Sequence, residues 1–144
     1  MTRCTFFGHK NAPFSIEEKL SAAIESLITE SGVRNFYIGN HGNFDSMALH
    51  CIKRLKTYYQ TIDYSIVLAY IPSTNFAQST NDKIDTLIPD GLENIPPRFA
   101  ILYRNRWMID HSNYVITHVT HSFGGAAKHK HIAEHLGKTV INII

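Results

Sequence analysis

Two kinds of apolar pattern alternate along the chain. Short, nearly continuous runs rich in β-branched and aromatic residues occur at Cys4–Phe7, Asn35–Ile38, Tyr64–Tyr70, Tyr114–Val119 and Thr139–Ile143. Runs of that length, apolar on both faces, predict strands covered by helices on both sides. Between them the apolar residues recur at helical period. From Ser15 to Glu30, residues Ile16, Leu20, Ala23, Ile24, Leu27 and Ile28 make one stripe closed by Gly32, and Ser15 with Glu18 has the spacing of a capping box. Further helices are predicted from about Asp45 to Lys56, from Arg98 to His111 after the pair Pro96–Pro97, and from near Gly124 to before Gly137. The stretch 72–97 has no sustained period and reads as a partly ordered excursion at the sheet edge. Strand–helix alternation of this kind predicts one three-layer α/β/α domain over residues 1–144, with a mainly parallel five-stranded sheet and right-handed crossovers.

Composition narrows the picture. At 144 residues, 44% apolar and 18% charged, the chain has the make-up of one globular domain. No apolar run reaches the ~20 residues of a membrane span, nothing points to a membrane partner, and no signal-peptide layout opens the chain; a cytoplasmic location is expected. Cys4 and Cys51 form neither a disulfide framework nor a zinc signature and are expected as buried thiols. His131 and His135 are four apart, but the first lacks the following glutamate of a zinc hydrolase, so no metal is assigned. The net charge of +2 and the absence of a basic stripe argue against nucleic acid as a partner.

Ligands of open parallel sheets collect where strands end and helices begin. Three such junctions carry suitable residues. After the first strand come Gly8, His9, Lys10 and Asn11, where the glycine admits a close ligand and His9 and Lys10 offer donors to an anion. After the second come Gly39, Asn40, His41, Gly42, Asn43, Phe44 and Asp45. Two glycines there can turn amides toward phosphate, and Asp45 can cap the helix or accept from a ribose hydroxyl. After the fourth come His121, Ser122, Phe123, Gly124, Gly125, Ala126 and Ala127, small residues that leave the helix start bare for an anion. Arg104, on the preceding helix, is the candidate guanidinium for a phosphate, with Arg106 and Asp110 spaced to pair with each other.

In their order and spacing these segments, together with Pro96–Ile101, Arg104–Met108 and Asn113–Ile116, resemble the SLOG superfamily. Within it they resemble the small DUF1273 (YpsA-like) proteins, over essentially the full length. The resemblance implies a Rossmann-like fold and a pocket for a nucleotide or nucleotide-derived phosphorylated ligand, with no separate cofactor identified. It also implies self-association as a homodimer or higher homo-oligomer. The same superfamily holds phosphoribohydrolases and the DNA-processing protein DprA. Laid on the phosphoribohydrolase pattern Pro-Gly-Gly-x-Gly-Thr-x-x-Glu, this chain has Phe123 at the proline and His131 at the glutamate, while Arg104 matches the upstream arginine.

The expected function is therefore binding or sensing of a nucleotide-derived ligand, such as an ADP-ribose derivative, through Gly8–Lys10, Gly39, Asn40, Gly42, Asp45, Arg104, His121, Ser122 and Gly124–Ala126. The alternatives are a nucleoside 5′-monophosphate phosphoribohydrolase, with Arg104 and Asp45 as catalytic candidates, and DprA-like single-strand binding. Cleavage of an N-glycosidic bond usually calls on a carboxylate; Asp45, Asp110 or Glu93 would have to take the place of the missing glutamate.

Overall fold

A computed structural model describes residues 2–70 and 86–144. Six parallel strands make one sheet: β1 (Arg3–Gly8), β2 (Asn35–Ile38), β3 (Asp63–Val67), β4 (Thr86–Leu87), β5 (Tyr114–His118) and β6 (Thr139–Asn142), in the order β4-β3-β2-β1-β5-β6. The helices are α1 (Glu17–Ser31), α2 (Asn43–Lys56), α3 (Ala100–Asp110) and α4 (Gly125–His135). No helix among the described residues is long and apolar enough to cross a membrane.

Alternation along β1 assigns each residue to a layer. Cys4 and Phe6 point into a core shared with Leu20, Ile24 and Leu27 of α1 and Met47, Cys51 and Ile52 of α2. Phe7 points the other way, toward Met108 and Ile109 of α3 and Ala133 of α4. Both faces of the central strands are thus dry, which is why their sequences read as continuous apolar runs. Both cysteines are buried free thiols, and burial pushes the Cys51 thiol up to about 11.

Two expectations need correction. The sheet has a sixth strand, β4, pairing Ile66 with Thr86 and Val67 with Leu87. It comes from the aperiodic stretch, of which residues 72–85 lie outside the described residues. A two-residue strand carries too little pattern to be seen in sequence. The Ser15–Glu18 capping box does not form either. Pro13 starts a 3-10 turn over Phe14–Ile16, so Ile16 becomes the N-cap of α1 and no side chain caps it.

The chain order places the site. It runs from β1 outward through β2, β3 and β4, then returns to lay β5 against the other side of β1, in register from Cys4↔Tyr114 to Gly8↔His118. The strand order therefore reverses between β1 and β5. At such a reversal the following loops diverge to opposite faces and leave a crevice at the strands' carboxyl ends.

Candidate functional site

A cavity of about 400 Å³ occupies that crevice. The loop after β1 contributes Gly8, His9 and Lys10; the loop after β2 and the first turn of α2 contribute His41 and Asp45. From the other side come Arg104 of α3, His121, and Gly124, Gly125 and Ala126 at the start of α4. Nine of the thirteen residues predicted to contact ligand thus share one cleft. Gly39, Asn40, Gly42 and Ser122 lie outside its lining.

Those four have other work. A side chain at Gly39 would meet the Asp45 carboxylate at 2.7 Å and the Arg104 guanidinium at 3.2 Å, so this glycine makes room for residues beneath the cleft. Asn40 accepts a bond from Arg104 Nη1 at 3.1 Å. Gly42 packs against the backbone of Lys10. Ser122 borders a second groove on the far side of the β5–α4 loop.

Asp45 and Arg104 form the polar floor. Arg104 is 2% exposed; its Nη1 also donates to the Val67 carbonyl at 2.9 Å, and its Nε to Asn105 Oδ1 at 2.8 Å. Burial pulls the guanidinium pKa down, opposed mainly by the Asp45 charge. Asp45 accepts the His41 N–H at 3.0 Å, yet loss of water raises its pKa to about 6, and the His41 bond and Arg104 only partly counter that. Of the three carboxylates considered for catalysis, only Asp45 lines the cleft. Asp110 pairs with Arg106 at 3.0 Å, and Glu93 sits exposed in a 3-10 turn. His131, at the glutamate position of the phosphoribohydrolase pattern, borders the second groove.

The wall beside β5 is aromatic. His9 stacks on His121 with centroids 3.9 Å apart, and His121 stacks on Phe123 at 4.0 Å. The Thr120 N–H donates to His9 Nε2 at 3.0 Å, which requires that nitrogen to be unprotonated. Desolvation first, then the neighbouring His121 and His118, hold the His9 pKa below its ordinary value. His129, buried and stacked on Phe7 at 5.3 Å, closes the cleft from below, and burial lowers its pKa too. Sequence reading missed His129 and Asn105 as wall residues and placed His41 and Phe123 in the ligand loops without assigning them a contact. Only His129, one turn after Gly125 on the inward face of α4, had a signal to follow.

The starts of α2 and α4 have nearly the same cap geometry and different occupancy. Gly42 (φ 92°, ψ 175°) and Gly124 (φ 94°, ψ 174°) are both in backbone open to glycine. At α2 the Asn43 N–H already donates to the Lys10 carbonyl at 2.7 Å, and the His41 N–H to Asp45. At α4 the amides of Gly125, Ala126 and Ala127 have no acceptor among the described residues, and no acidic side chain stands in the first turn. A side chain at Gly125 would meet nothing within 4 Å. The second junction thus uses its His41 and Asn43 amides internally, whereas the first three amides of α4 have no internal acceptor among the described residues.

No protein-family model and no curated protein sequence matches the chain. Solved structures that share its fold include two DNA processing proteins. DNA processing protein A (DprA) from Streptococcus pneumoniae superposes with a TM-score of 0.68 at 16% identity, covering 99% of this chain and 50% of that one. The Helicobacter pylori DprA, described for its single-stranded DNA binding mode, superposes with a TM-score of 0.65 at 16% identity, covering 98% of this chain and 64% of its own. This chain thus spans half to under two thirds of those proteins. That likeness overturns the expectation against nucleic acid as a partner. The expectation rested on net charge and a missing basic stripe, but Lys10 and Arg104 are far apart in sequence and meet only in the folded cleft. At the level of fold the chain is similar to DprA, with a Rossmann-like parallel sheet.

Proposed function

We propose that this domain binds single-stranded nucleic acid, with one phosphate of the strand at the start of α4 and its nucleotide in the cleft between β1 and β5. One observation carries the reading: the α4 start, with unsatisfied amides at Gly125 and Ala126 and a sterically open Gly125, borders a cavity supplied with Lys10 and Arg104. A helix start free of carboxylate attracts an anion, and amides aimed at phosphate oxygens position a strand without reading its sequence. The fold likeness to two DprA proteins supports a strand over other phosphate ligands. The chain is also proposed to belong with the SLOG superfamily, in the small DUF1273-like group that its motifs resemble.

The test is fluorescence anisotropy with labelled oligothymidylate, duplex DNA and thymidine monophosphate across a salt series. Oligothymidylate is expected to bind more tightly than the duplex and to weaken steadily with salt. Absence of binding to any strand at low salt retires the reading.

A second reading keeps the same cleft for a free nucleotide-derived ligand. It is favoured by the volume of about 400 Å³, within the ~300–1,000 Å³ usual for small-molecule sites. It predicts a thermal shift with mononucleotides or ADP-ribose derivatives that oligonucleotides do not exceed.

A further inference from the structure

The ring stack on the cleft wall ends in an arrangement that packing alone does not account for. Its inner end is anchored: His9 meets the edge of buried His118 at 5.7 Å, and His118 in turn lies over Phe44 at 6.2 Å. His118 itself is held by Nδ1 at 2.8 Å from the Ile143 carbonyl. Its outer end is Phe123, with His121 on one face and no ring on the other among the described residues. Phe123 is 71% exposed. A phenyl ring propped outward in this way keeps an apolar face in water, against the usual gain from burial.

Beyond the stack lies a groove of about 870 Å³ that shares His121 and Gly124 with the cleft. Lys128, Lys130 and His131 border it, with Glu134 as its acid. Glu134 is paired with Lys130 at 3.4 Å, and Lys128 has no ion pair among the described residues. The groove is therefore continuous with the cleft and carries cationic charge that its own residues leave uncompensated. A phosphodiester strand has the matching form: a flat apolar base with an anionic group on either side.

Resting on the nucleic-acid reading, we propose that a strand held in the cleft crosses the ring stack, stacks an unpaired base on the open face of Phe123 and places the next phosphate beside Lys128. The base must be unpaired, because a duplex offers no free face except at its ends. Stacking on a phenyl ring tolerates any base, so this step adds affinity without sequence preference.

Anisotropy with oligothymidylates of increasing length separates the parts. Phe123 and Lys128 are exposed, so substitutions there leave the core untouched. Phe123→Ala is expected to weaken oligomer binding about 10-fold, and Phe123→Trp to restore it with quenching of the new indole by the strand. Lys128→Gln is expected to leave thymidine monophosphate unaffected, weaken longer strands, and lower the salt slope by about one. If both Phe123→Ala and Lys128→Gln bind every length like the unaltered protein, while Gly125→Asp weakens binding, the path is overturned and the cleft reading stands. If the unaltered protein binds no strand, both fall together.

Discussion

The starts of α2 and α4 are built on one backbone plan and put to opposite uses. Each follows a central strand, each is capped by a glycine at φ near 93° (92° and 94°), and each begins beside the same cleft. At α2 the chain fills its own anion position: the Lys10 carbonyl takes the Asn43 amide, and Asp45 takes the His41 amide. At α4 there is no carboxylate in the first turn, no carbonyl over the amides and no side chain in the way. The difference teaches that a glycine-rich turn is not by itself a phosphate site. What decides is whether the fold supplies a substitute anion.

The largest expected contrast lies in stability at the two caps. Gly42→Ala sets an unfavourable backbone conformation against a Cβ only 2.6 Å from the Lys10 backbone, whereas the same change at Gly124 meets only the His121 ring at 3.9 Å. Urea unfolding should show a loss of ~3 kcal/mol or more for Gly42→Ala and ~1–2 kcal/mol for Gly124→Ala. Equal losses would mean that the α2 start is not closed by Lys10.

Next is the open start itself. Gly125→Asp adds a carboxylate where α4 has none, which should raise stability by ~0.3–1 kcal/mol while weakening oligonucleotide binding ~10–100-fold. Opposite signs in the two measurements separate a blocked site from a damaged fold. If binding and stability fell together, α4 would be a structural element and no anion site.

The smallest effect concerns the acid that closes α2. The folded-state pKa of Asp45 is raised from 3.8 to about 6, so the folded protein holds this proton where the unfolded chain has released it. Its contribution is fully present below pH ~4 and is lost as pH rises through about 6. Asp45→Asn should therefore gain ~1–2 kcal/mol on the unaltered protein at pH 7, with the gain vanishing by pH 4. A constant difference across that range would contradict the burial of this carboxyl.

The sequence carried the parallel sheet because strands dry on both faces leave an unmistakable apolar run, as at Cys4–Phe7 and Tyr114–His118. It could not carry β4, which gains its place from Ile66 and Val67 rather than from its own two residues. The cap of α1 was misplaced because Pro13 diverts the chain into a 3-10 turn before the helix, a choice Ser15 and Glu18 do not encode. At the site, glycines marked all three junctions but not what approaches them. Gly39 yields to Asp45 and Arg104, Gly42 to Lys10, and only at Gly125 does space remain open. Phe123 matches the proline of another family's motif in sequence; the stack that it extends reaches His9 only because β1 and β5 lie side by side and bring the His9 and His121 loops together.

Amide chemical shifts followed by two-dimensional NMR during titration with oligothymidylate test the difference between the two helix starts most directly. The N–H signals of Gly125, Ala126 and Ala127 should move strongly downfield as phosphate takes them, while those of His41 and Asn43, already bonded, stay in place. Saturated binding that leaves the α4 signals unmoved, or that shifts Asn43 most, would contradict the account.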